Sequence, residues 1–361
     1  MRRFIATLAF ALFTLLAGAL AAGREDQYLS VSLPSAVLSN FWGQEVALNA
    51  HVLLPDSYYK SPARRYPVVY VVHALGGNSD FTVNQALDWQ KPMRAEGQEY
   101  LIVFLDANFN GLHTLFADSE NNGPWATALT QEFIPKTDAY FRTIPDAAHR
   151  FLEGHSSGGW AALWLQVRYP QLFGGVWAIS PDPVDFHDYT GPDLLAPNAN
   201  MYHNASGSPY AMWRRNGRDS ETMQQFAHDK IGDWQFRLDE AAYSPRGKDG
   251  KPVPFFDRRS GNVDAAVAQY WEQHYDIAAV IRDEWPLQAV NLRGKLHVFV
   301  GTADTFHLEG SIRLLDDELR TLNADAEIAY APNADHWTVF DYHGGLLRHI
   351  VGEIKMQLTP Q

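Results

Sequence analysis

Short apolar runs alternate along the chain with segments in which apolar residues recur at helical spacing. The runs that predict strands cover residues 48–54, 67–72, 100–105, 150–152, 175–179, 296–300 and 327–330. The segments that predict helices cover residues 126–141, 158–169, 308–322 and 346–356. The central runs show little polar alternation, which is expected when helices cover both faces of a parallel sheet. The pattern therefore predicts an α/β fold with a mainly parallel central sheet and helices on both faces.

One long stretch, 182–290, interrupts this alternation. It contains no convincing strand, and its aromatic residues are scattered among glycine, proline, asparagine and aspartate. We expect a largely helical insertion that lies over the sheet. Two interpretations stay open: a packed subdomain that shields apolar surface, or a lid that shapes a substrate pocket.

The first residues are typical of a secretory signal peptide. A basic start over 1–3 precedes an almost unbroken apolar run over 4–20, and small residues follow at the spacing of a cleavage site. A membrane anchor is disfavoured because the run is slightly shorter than the roughly 20 residues that span a bilayer. We expect a signal peptide over 1–22, one folded domain over 23–361, a secreted or periplasmic location and no stable membrane insertion after cleavage.

Composition removes several classes of function. The formal net charge of −13 at pH 7 argues against a nucleic-acid partner, which needs a basic surface. With 46% hydrophobic and 20% charged residues, the chain is not disordered as a whole. The absence of cysteine excludes disulfides, thiol catalysis and cysteine-based metal sites. The 14 histidines show no spaced ligand set, so we expect no metal site.

The strongest chemical signal is a G-x-S-x-G motif formed by Gly154, Ser156 and Gly158. It lies between a predicted strand and a predicted helix, which is the setting of a nucleophile elbow. A sharp strand-to-helix turn strains the serine and brings backbones close together, so the flanking positions need glycine. The motif predicts Ser156 as a nucleophile and the backbone N–H of Ser157, at the helix start, as an oxyanion donor.

A serine nucleophile needs a base, and the base needs an acid that orients it. Asp304 and His336 each follow one of the last two predicted strands, and we expect them to be the acid and the base. Asp325 and Asp335 are alternatives for the acid, but both are expected to be solvated loop carboxylates. The other histidines, His155 included, are expected at the surface or in the core.

A second oxyanion donor is expected on the loop after an early central strand. The run 67–72 leads into a turn over 73–77, and we assign the donor to the backbone N–H of Leu75. An ordinary glycine-rich turn is the alternative, since a backbone donor leaves no side-chain signature.

Several motifs in order carry a more specific resemblance. They are the runs 122–125 (NGPW), 131–135 (QEFIP), 140–146 (YFRTIPD), 154–159 (GHSSGG) and 170–176 (PQLFGGV). Together they resemble the Putative esterase family, which includes esterase D (S-formylglutathione hydrolase), feruloyl esterases, enterochelin esterases and the antigen 85 mycolyltransferases. The resemblance spans about 46–180 and resumes near Lys295. It implies an α/β-hydrolase that cleaves or transfers acyl esters without a metal or organic cofactor.

By position, the resemblance implies catalytic roles for Ser156, Asp304 and His336 and oxyanion donors at Leu75 and Ser157. It also implies a substrate-side aromatic at Trp125, with core packing as the alternative. We expect Trp337, which follows the base, to face the substrate as well.

The chain departs from the family pattern in three places. Ala74 stands where the family has a glycine after the histidine, and a need for positive φ there would reshape the oxyanion loop. Ser157 stands where methionine is common, and the insertion is longer than in compact members. These departures concern substrate preference more than the reaction.

The sequence thus predicts an exported serine esterase that hydrolyses a small-molecule carboxylic ester through an acyl-enzyme. Two alternatives stay open: an acyltransferase of the mycolyltransferase type and a non-catalytic exported binding protein on the same fold. The complete set of Ser156, Asp304 and His336 argues against the binding protein. The oligomeric state is not predicted.

Overall fold

The computed structural model describes residues 27–78, 82–215 and 217–359, and for 82–87 it describes the backbone alone. The predicted signal peptide, 1–22, lies outside the described residues. In the part of the chain that is described, no helix is both long enough and apolar enough to cross a membrane.

The central sheet has eight strands. They are β1 (Tyr28–Pro34), β2 (Ala47–Leu53), β3 (Val68–Val72), β4 (Leu101–Leu105), β5 (Arg150–His155), β6 (Gly175–Ile179), β7 (Leu296–Gly301) and β8 (Ala326–Ala331). Their order across the sheet is β1-β2-β4-β3-β5-β6-β7-β8. β2 pairs with β1 and β4 in antiparallel register, and the pairs from β4 to β8 are all parallel. The expected α/β fold with a mainly parallel sheet is confirmed.

The longer helical segments lie between these strands and after the last one. They are α1 (Ala36–Trp42), α2 (Thr82–Ala95), α3 (Trp125–Ala128, continued by a π-helical turn Leu129–Phe133 and by Ile134–Tyr140), α4 (Ser157–Arg168), α5 (Met223–Ala227), α6 (Lys230–Tyr243), α7 (Ala265–Tyr275), α8 (Ile277–Leu292), α9 (Glu309–Thr321) and α10 (Leu346–Leu358). The four predicted helices correspond to α3, α4, α9 and α10. The sequence pattern did not predict α1, α2 or the edge strand β1, whose side chains alternate between half-buried and exposed.

The insertion lies between β6 and β7 and contains α5 to α8. Within its described residues, the regular strands are limited to a two-residue ladder between Arg214–Arg215 and Arg218–Asp219, which is separate from the central sheet. α8 packs against α4, so the insertion covers the sheet on the face that carries α4.

Two apolar layers bury the two faces of the sheet. On β3, Val68, Tyr70 and Val72 belong to the larger layer, which includes α3, α4 and the insertion. Val69 and Val71 belong to the smaller layer, which includes α2 and α10. Successive side chains of a strand point to opposite faces, so a strand covered on both sides must be apolar throughout. The unbroken apolar runs of the sequence are therefore explained by two helical layers.

Glu153 is an exception within the apolar strand β5. Its side chain is buried, and it makes no hydrogen bond or ion pair with the described residues. Burial raises its pKa from 4.5 to about 8. Between these two pH values the folded protein holds a proton that the unfolded chain releases. Stability therefore falls as pH rises through this range.

We expect Glu153→Gln to increase the free energy of unfolding at pH 8.5 by about 2 kcal/mol, because the amide carries no charge to bury. At pH 5, where the folded carboxyl is already neutral, the gain is expected to be much smaller. Urea unfolding followed by circular dichroism at both pH values measures the difference. The exposed Glu45→Gln controls for the loss of one surface charge. An equal gain for Glu153→Gln at the two pH values would contradict the expectation.

Candidate active site

A strained turn at Ser156 joins β5 to α4. Ser156 has φ 57° and ψ −127°, a region that residues other than glycine rarely adopt. A Cβ on Gly154 would lie 2.1 Å from the carbonyl oxygen of Gly158, and a Cβ on Gly158 would lie 2.1 Å from that of Val72. No side chain fits at either position. The two glycines therefore let α4 begin directly against the ends of β5 and β3, with Ser156 at the carboxyl edge of the sheet.

The predicted oxyanion donors are the N–H groups of Leu75 and Ser157. Both residues line one cavity together with Ser156. Neither N–H donates a hydrogen bond to the described part of the chain. The contact of Gly158 with the end of β3 brings the turn that carries Leu75 next to the start of α4. Two backbone donors are thus available to an oxygen atom of a ligand.

His73 holds the turn that leads to Leu75. Its Nε2 accepts from the N–H of Ala107 at 3.0 Å, and its Nδ1 donates to the carbonyl oxygen of Ala74 at 2.8 Å. Positive φ falls at Gly76, with 78°, and not at Ala74. The alanine that replaces the family's glycine therefore introduces no backbone strain here.

Asp304 and His336, the predicted acid and base, form a buried pair. His336 Nδ1 donates to Asp304 Oδ2 at 2.9 Å, and the Phe306 N–H donates to Asp304 Oδ1 at 2.8 Å. Burial acts to raise the pKa of Asp304, but the hydrogen bond and charge of His336 outweigh it and hold the pKa below its usual value. Asp304 is therefore ionised at neutral pH and fixes the orientation and tautomer of the imidazole.

The two loops that carry this pair are fastened to each other. Ala303 N–H donates to the carbonyl oxygen of Ala334 at 3.0 Å, and Asn333 N–H donates to Thr302 Oγ1 at 2.8 Å. Gly301, the last residue of β7, makes the contact possible, because a Cβ there would lie 2.1 Å from the carbonyl oxygen of Ala334. The sequence contains this glycine, but its partner loop cannot be identified from local pattern.

His155 lies against the predicted base. Its Nε2 donates to the backbone carbonyl oxygen of His336 at 2.9 Å, and the two rings are 4.4 Å apart. Burial, followed by the charge of His336, lowers the pKa of His155 to about 3, so this ring stays neutral. The expectation of an ordinary surface or core histidine misses this contact. Its sole signal in the sequence is its position next to Ser156.

The hydroxyl of Ser156 makes no hydrogen bond to His336. It donates to Asp182 Oδ1 at 3.2 Å, and the hydroxyl of Ser157 donates to Asp182 Oδ2 at 2.5 Å. Burial raises the pKa of Asp182, although these two hydrogen bonds act to lower it. The structure therefore brings Asp304 and His336 into contact and places Ser156 in the same cavity, but directs the serine to a carboxyl group that sequence reasoning missed. Asp182 was noted only as the start of the insertion.

Ser156 and His336 open into a cavity of about 1080 Å³. Loops of the sheet, part of α2, the segment 340–348 and the insertion all line it. The aromatic residues that the insertion contributes are Phe186, Tyr189, Trp213, Trp234, Phe236 and Tyr243. The insertion is thus both a packed unit and a wall of the pocket, while a lid movement stays an expectation.

The two predicted substrate-side tryptophans have different environments. Trp337 lines the cavity and is 58% exposed. Trp125 is 2% exposed, donates from Nε1 to the carbonyl oxygen of Asn122 at 2.7 Å and packs against Phe109. The structure does not bring Trp125 to the cavity, which corrects the expectation and agrees with core packing as the alternative.

The competing carboxylates lie apart from this chemistry. Asp325 is exposed, and Asp335 Oδ1 accepts hydrogen bonds from the N–H groups of Trp337 and Thr338. Among the described residues, one group with metal-ligand character brings ligand atoms within 4.8 Å of one another: His297, Glu327 and Glu353. It lies at the amino ends of β7 and β8, opposite the edge that carries Ser156, and Trp177 Nε1 already donates to Glu353 Oε2.

We expect Gly301→Ala to reduce the free energy of unfolding by about 2 kcal/mol or more, because the added methyl must displace the loop before His336. Gly352→Ala provides a matched control. A Cβ there meets no heavy atom within 4 Å and lies inside α10, so this variant should gain about 0.5–1 kcal/mol. Urea unfolding of both proteins checks the pair. Similar stability changes in the two variants would show that the two loops do not need this close approach.

Comparison with known proteins adds a family and a fold. The profile of the family described as "Putative esterase" matches residues 39–231. Two esterases of Mycobacterium tuberculosis, Rv1288 and MT1326, are each 31% identical over 123 residues, which is 33% of this chain. The match covers 26% of each relative, so it spans about a quarter of their length.

Solved structures share the architecture at low identity. A ferulic acid esterase superposes with a TM-score of 0.59 at 16% identity, covering 92% of this chain and 98% of that one. An S-formylglutathione hydrolase from Agrobacterium tumefaciens superposes with a TM-score of 0.56 at 13% identity, covering 92% and 95%. These likenesses confirm the expected α/β-hydrolase fold.

Proposed function

The chain belongs to the Putative esterase family, and from this premise we propose that it is a serine hydrolase of carboxylic esters. One observation carries the proposal. Ser156 is held in a strained elbow, in the same cavity as the buried Asp304–His336 pair and two unused backbone donors. Nucleophile, base, acid and oxyanion donors are the parts that acyl transfer requires.

The first half of the reaction acylates the serine. The Ser156 hydroxyl turns about its Cα–Cβ bond from Asp182 to Nε2 of His336, a hydrogen bond that such sites often complete only with substrate. His336 takes the proton as Ser156 Oγ attacks the ester carbonyl carbon. The N–H groups of Leu75 and Ser157 stabilise the resulting oxyanion. His336 then gives the proton to the leaving alcohol, and the ester C–O bond breaks.

The second half repeats these steps with water. His336 takes a proton from a water molecule that attacks the acyl-enzyme, the same donors stabilise the oxyanion, and the proton returns to Ser156 Oγ. The products are a carboxylic acid and an alcohol. Asp304 stays ionised throughout and stabilises the imidazolium of His336. His155 donates a hydrogen bond to the backbone carbonyl oxygen of His336 and so holds the loop that carries it.

The pocket supports an ester with a sizeable apolar part. Its volume of about 1080 Å³ exceeds the need of a short acyl chain, and its inner wall is largely aromatic. The fold neighbours include a ferulic acid esterase and an S-formylglutathione hydrolase, so the fold itself does not fix the substrate. We also propose that the protein is exported, on the basis of the leader-like residues 1–22.

A fluorophosphonate probe tests the nucleophile. We expect one adduct on Ser156 in the wild type, seen by intact mass and peptide mapping, and none in Ser156→Ala. Ester hydrolysis by Ser156→Ala should fall by roughly 10⁴-fold with the melting temperature retained. The mass of protein purified from the exporting host also reports whether the leader is removed. Wild-type hydrolysis by Ser156→Ala would remove the proposal.

We expect Asp304→Asn to lower kcat by roughly 10²–10⁴-fold, because the amide no longer selects the imidazole tautomer or stabilises its charge. Asp325→Asn, at the exposed alternative carboxylate, is the matched control and should keep kcat within a factor of two. Steady-state kinetics on one ester and a thermal melt of each variant give the comparison. A smaller effect at Asp304 than at Asp325 would assign the acid elsewhere.

A further inference from the structure

Two carboxyl groups, those of Asp182 and Asp239, belong to residues that line the cavity beside Ser156. Asp182 follows β6 and touches the hydroxyl of Ser156, at 3.2 Å. Asp239, on α6, is 7% exposed and accepts a hydrogen bond from the hydroxyl of Tyr189. Both residues line the same cavity, and the negative charge of Asp182 acts on Asp239. The proposed mechanism uses neither of them to move a proton.

The described residues supply no cation that pairs with these two groups. His336 bonds to Asp304 and acts on Asp182 through its charge alone. Arg258 likewise acts on Asp239 through its charge, while its hydrogen bond goes to Glu240, at 2.8 Å. Burial raises the pKa of both carboxyls, and that of Asp239 lies well above its usual value. Buried carboxylates are normally paired with a cation. A cationic ligand would therefore offset the desolvation free energy of these two groups when they are ionised.

Two further polar groups on this wall lack partners. Thr190 is 8% exposed, and its Oγ1 has no hydrogen-bond partner although the residue lines the cavity. The hydroxyl of Tyr243 makes no hydrogen bond to the described residues, and its side chain is buried at the cavity wall. Unused donors and acceptors beside two carboxyls indicate a ligand with a polar, cationic group.

The geometry around Ser156 assigns this group to one side of the ester. The carbonyl oxygen lies toward the N–H groups of Leu75 and Ser157, and the leaving oxygen must lie toward His336, which protonates it. The remaining direction from the carbonyl carbon belongs to the acyl substituent. Asp182 is the other group in contact with Ser156 Oγ, so the acyl α position lies beside it.

We propose that the enzyme prefers esters whose acyl group carries an α-ammonium, that is, α-amino acid esters, with Asp182 and Asp239 binding the ammonium. This inference rests on the proposed esterase function. It also gives the contact between Ser156 and Asp182 a role. An ammonium that hydrogen-bonds to Asp182 replaces the serine there and leaves the Ser156 hydroxyl free to turn to His336.

Three methyl esters of the same carbon skeleton test the preference at pH 6.5: L-phenylalanine methyl ester, its N-acetyl derivative and methyl 3-phenylpropanoate. The N-acetyl ester keeps an electron-withdrawing nitrogen but no charge, so it controls for intrinsic reactivity. Rates are divided by those of hydroxide-catalysed hydrolysis. We expect this corrected kcat/KM to be at least tenfold higher for the ammonium ester than for either neutral ester.

Matched variants of the insertion locate the effect. Asp239→Asn should lower the ratio of kcat/KM between the ammonium and N-acetyl esters by at least fivefold. Asp283→Asn removes an exposed carboxylate on α8 that does not line the cavity, and it should leave this ratio unchanged. A thermal melt and fluorophosphonate labelling report whether each variant is folded. In the wild type, 2-phenylethylammonium should inhibit hydrolysis of the neutral ester more strongly than 2-phenylethanol.

The outcomes separate the two levels of the proposal. Equal or faster turnover of the neutral esters by wild-type protein overturns the preference and leaves the esterase function standing. If Asp239→Asn leaves the ratio of kcat/KM between the ammonium and N-acetyl esters unchanged, the assignment of the ammonium site to Asp239 is overturned. No hydrolysis of any ester, together with no probe adduct on Ser156, overturns the esterase function and this inference with it.

Discussion

The close approach of α4 to the end of β3 is the constraint on which the site depends. Gly158 lies so near the carbonyl oxygen of Val72 that a single methyl group would force the two segments apart. Three features follow from this one contact. Ser156 is forced into its strained conformation, the N–H of Ser157 lies at the helix start, and the turn with Leu75 comes alongside. The predicted nucleophile and the predicted oxyanion donors are thus positioned by backbone packing rather than by side-chain contacts.

Several buried carboxyl groups, whose ionised forms lose hydration free energy, lie in the same region. Asp304 is buried but compensated, because His336 and a backbone N–H bind its carboxylate. Glu153, Asp182 and Asp239 are buried without a cationic partner, and all three line the cavity. Structural cores avoid such groups, whereas functional sites collect them. Three such carboxyls thus line the pocket, while Asp276, which is also buried without a cation, receives hydrogen bonds from backbone N–H groups away from it.

Local pattern was sufficient for features that repeat along the chain. Apolar runs located the parallel strands, and glycine spacing located the elbow, because both arise from neighbours in sequence. Asp304 and His336 were found because parallel strands end at a common edge, so residues just after them must meet.

Contacts between distant segments were beyond local pattern. The hydrogen bond from Ser156 to Asp182 depends on how β6 ends beside β5, and the contact of His155 with His336 depends on loop packing. For Trp125, the motif position predicted a place in the pocket, and this prediction was wrong. Trp125 is buried in the core because the whole of α3 packs there. β1 was not predicted because it is a short edge strand whose side chains alternate only between half-buried and exposed, which gives a weak apolar pattern.

The placement of the insertion has a consequence for how the protein folds. Val176 on β6 pairs with Leu296 on β7, so these neighbours are joined through a loop on the order of a hundred residues. Closing such a loop costs chain entropy before any strand contact repays it, which slows folding. β7 and β8, which Asp304 and His336 follow, pair with the rest of the sheet only when this long loop closes. We therefore expect the elbow, whose residues are close in sequence, to form before Asp304 and His336 reach it.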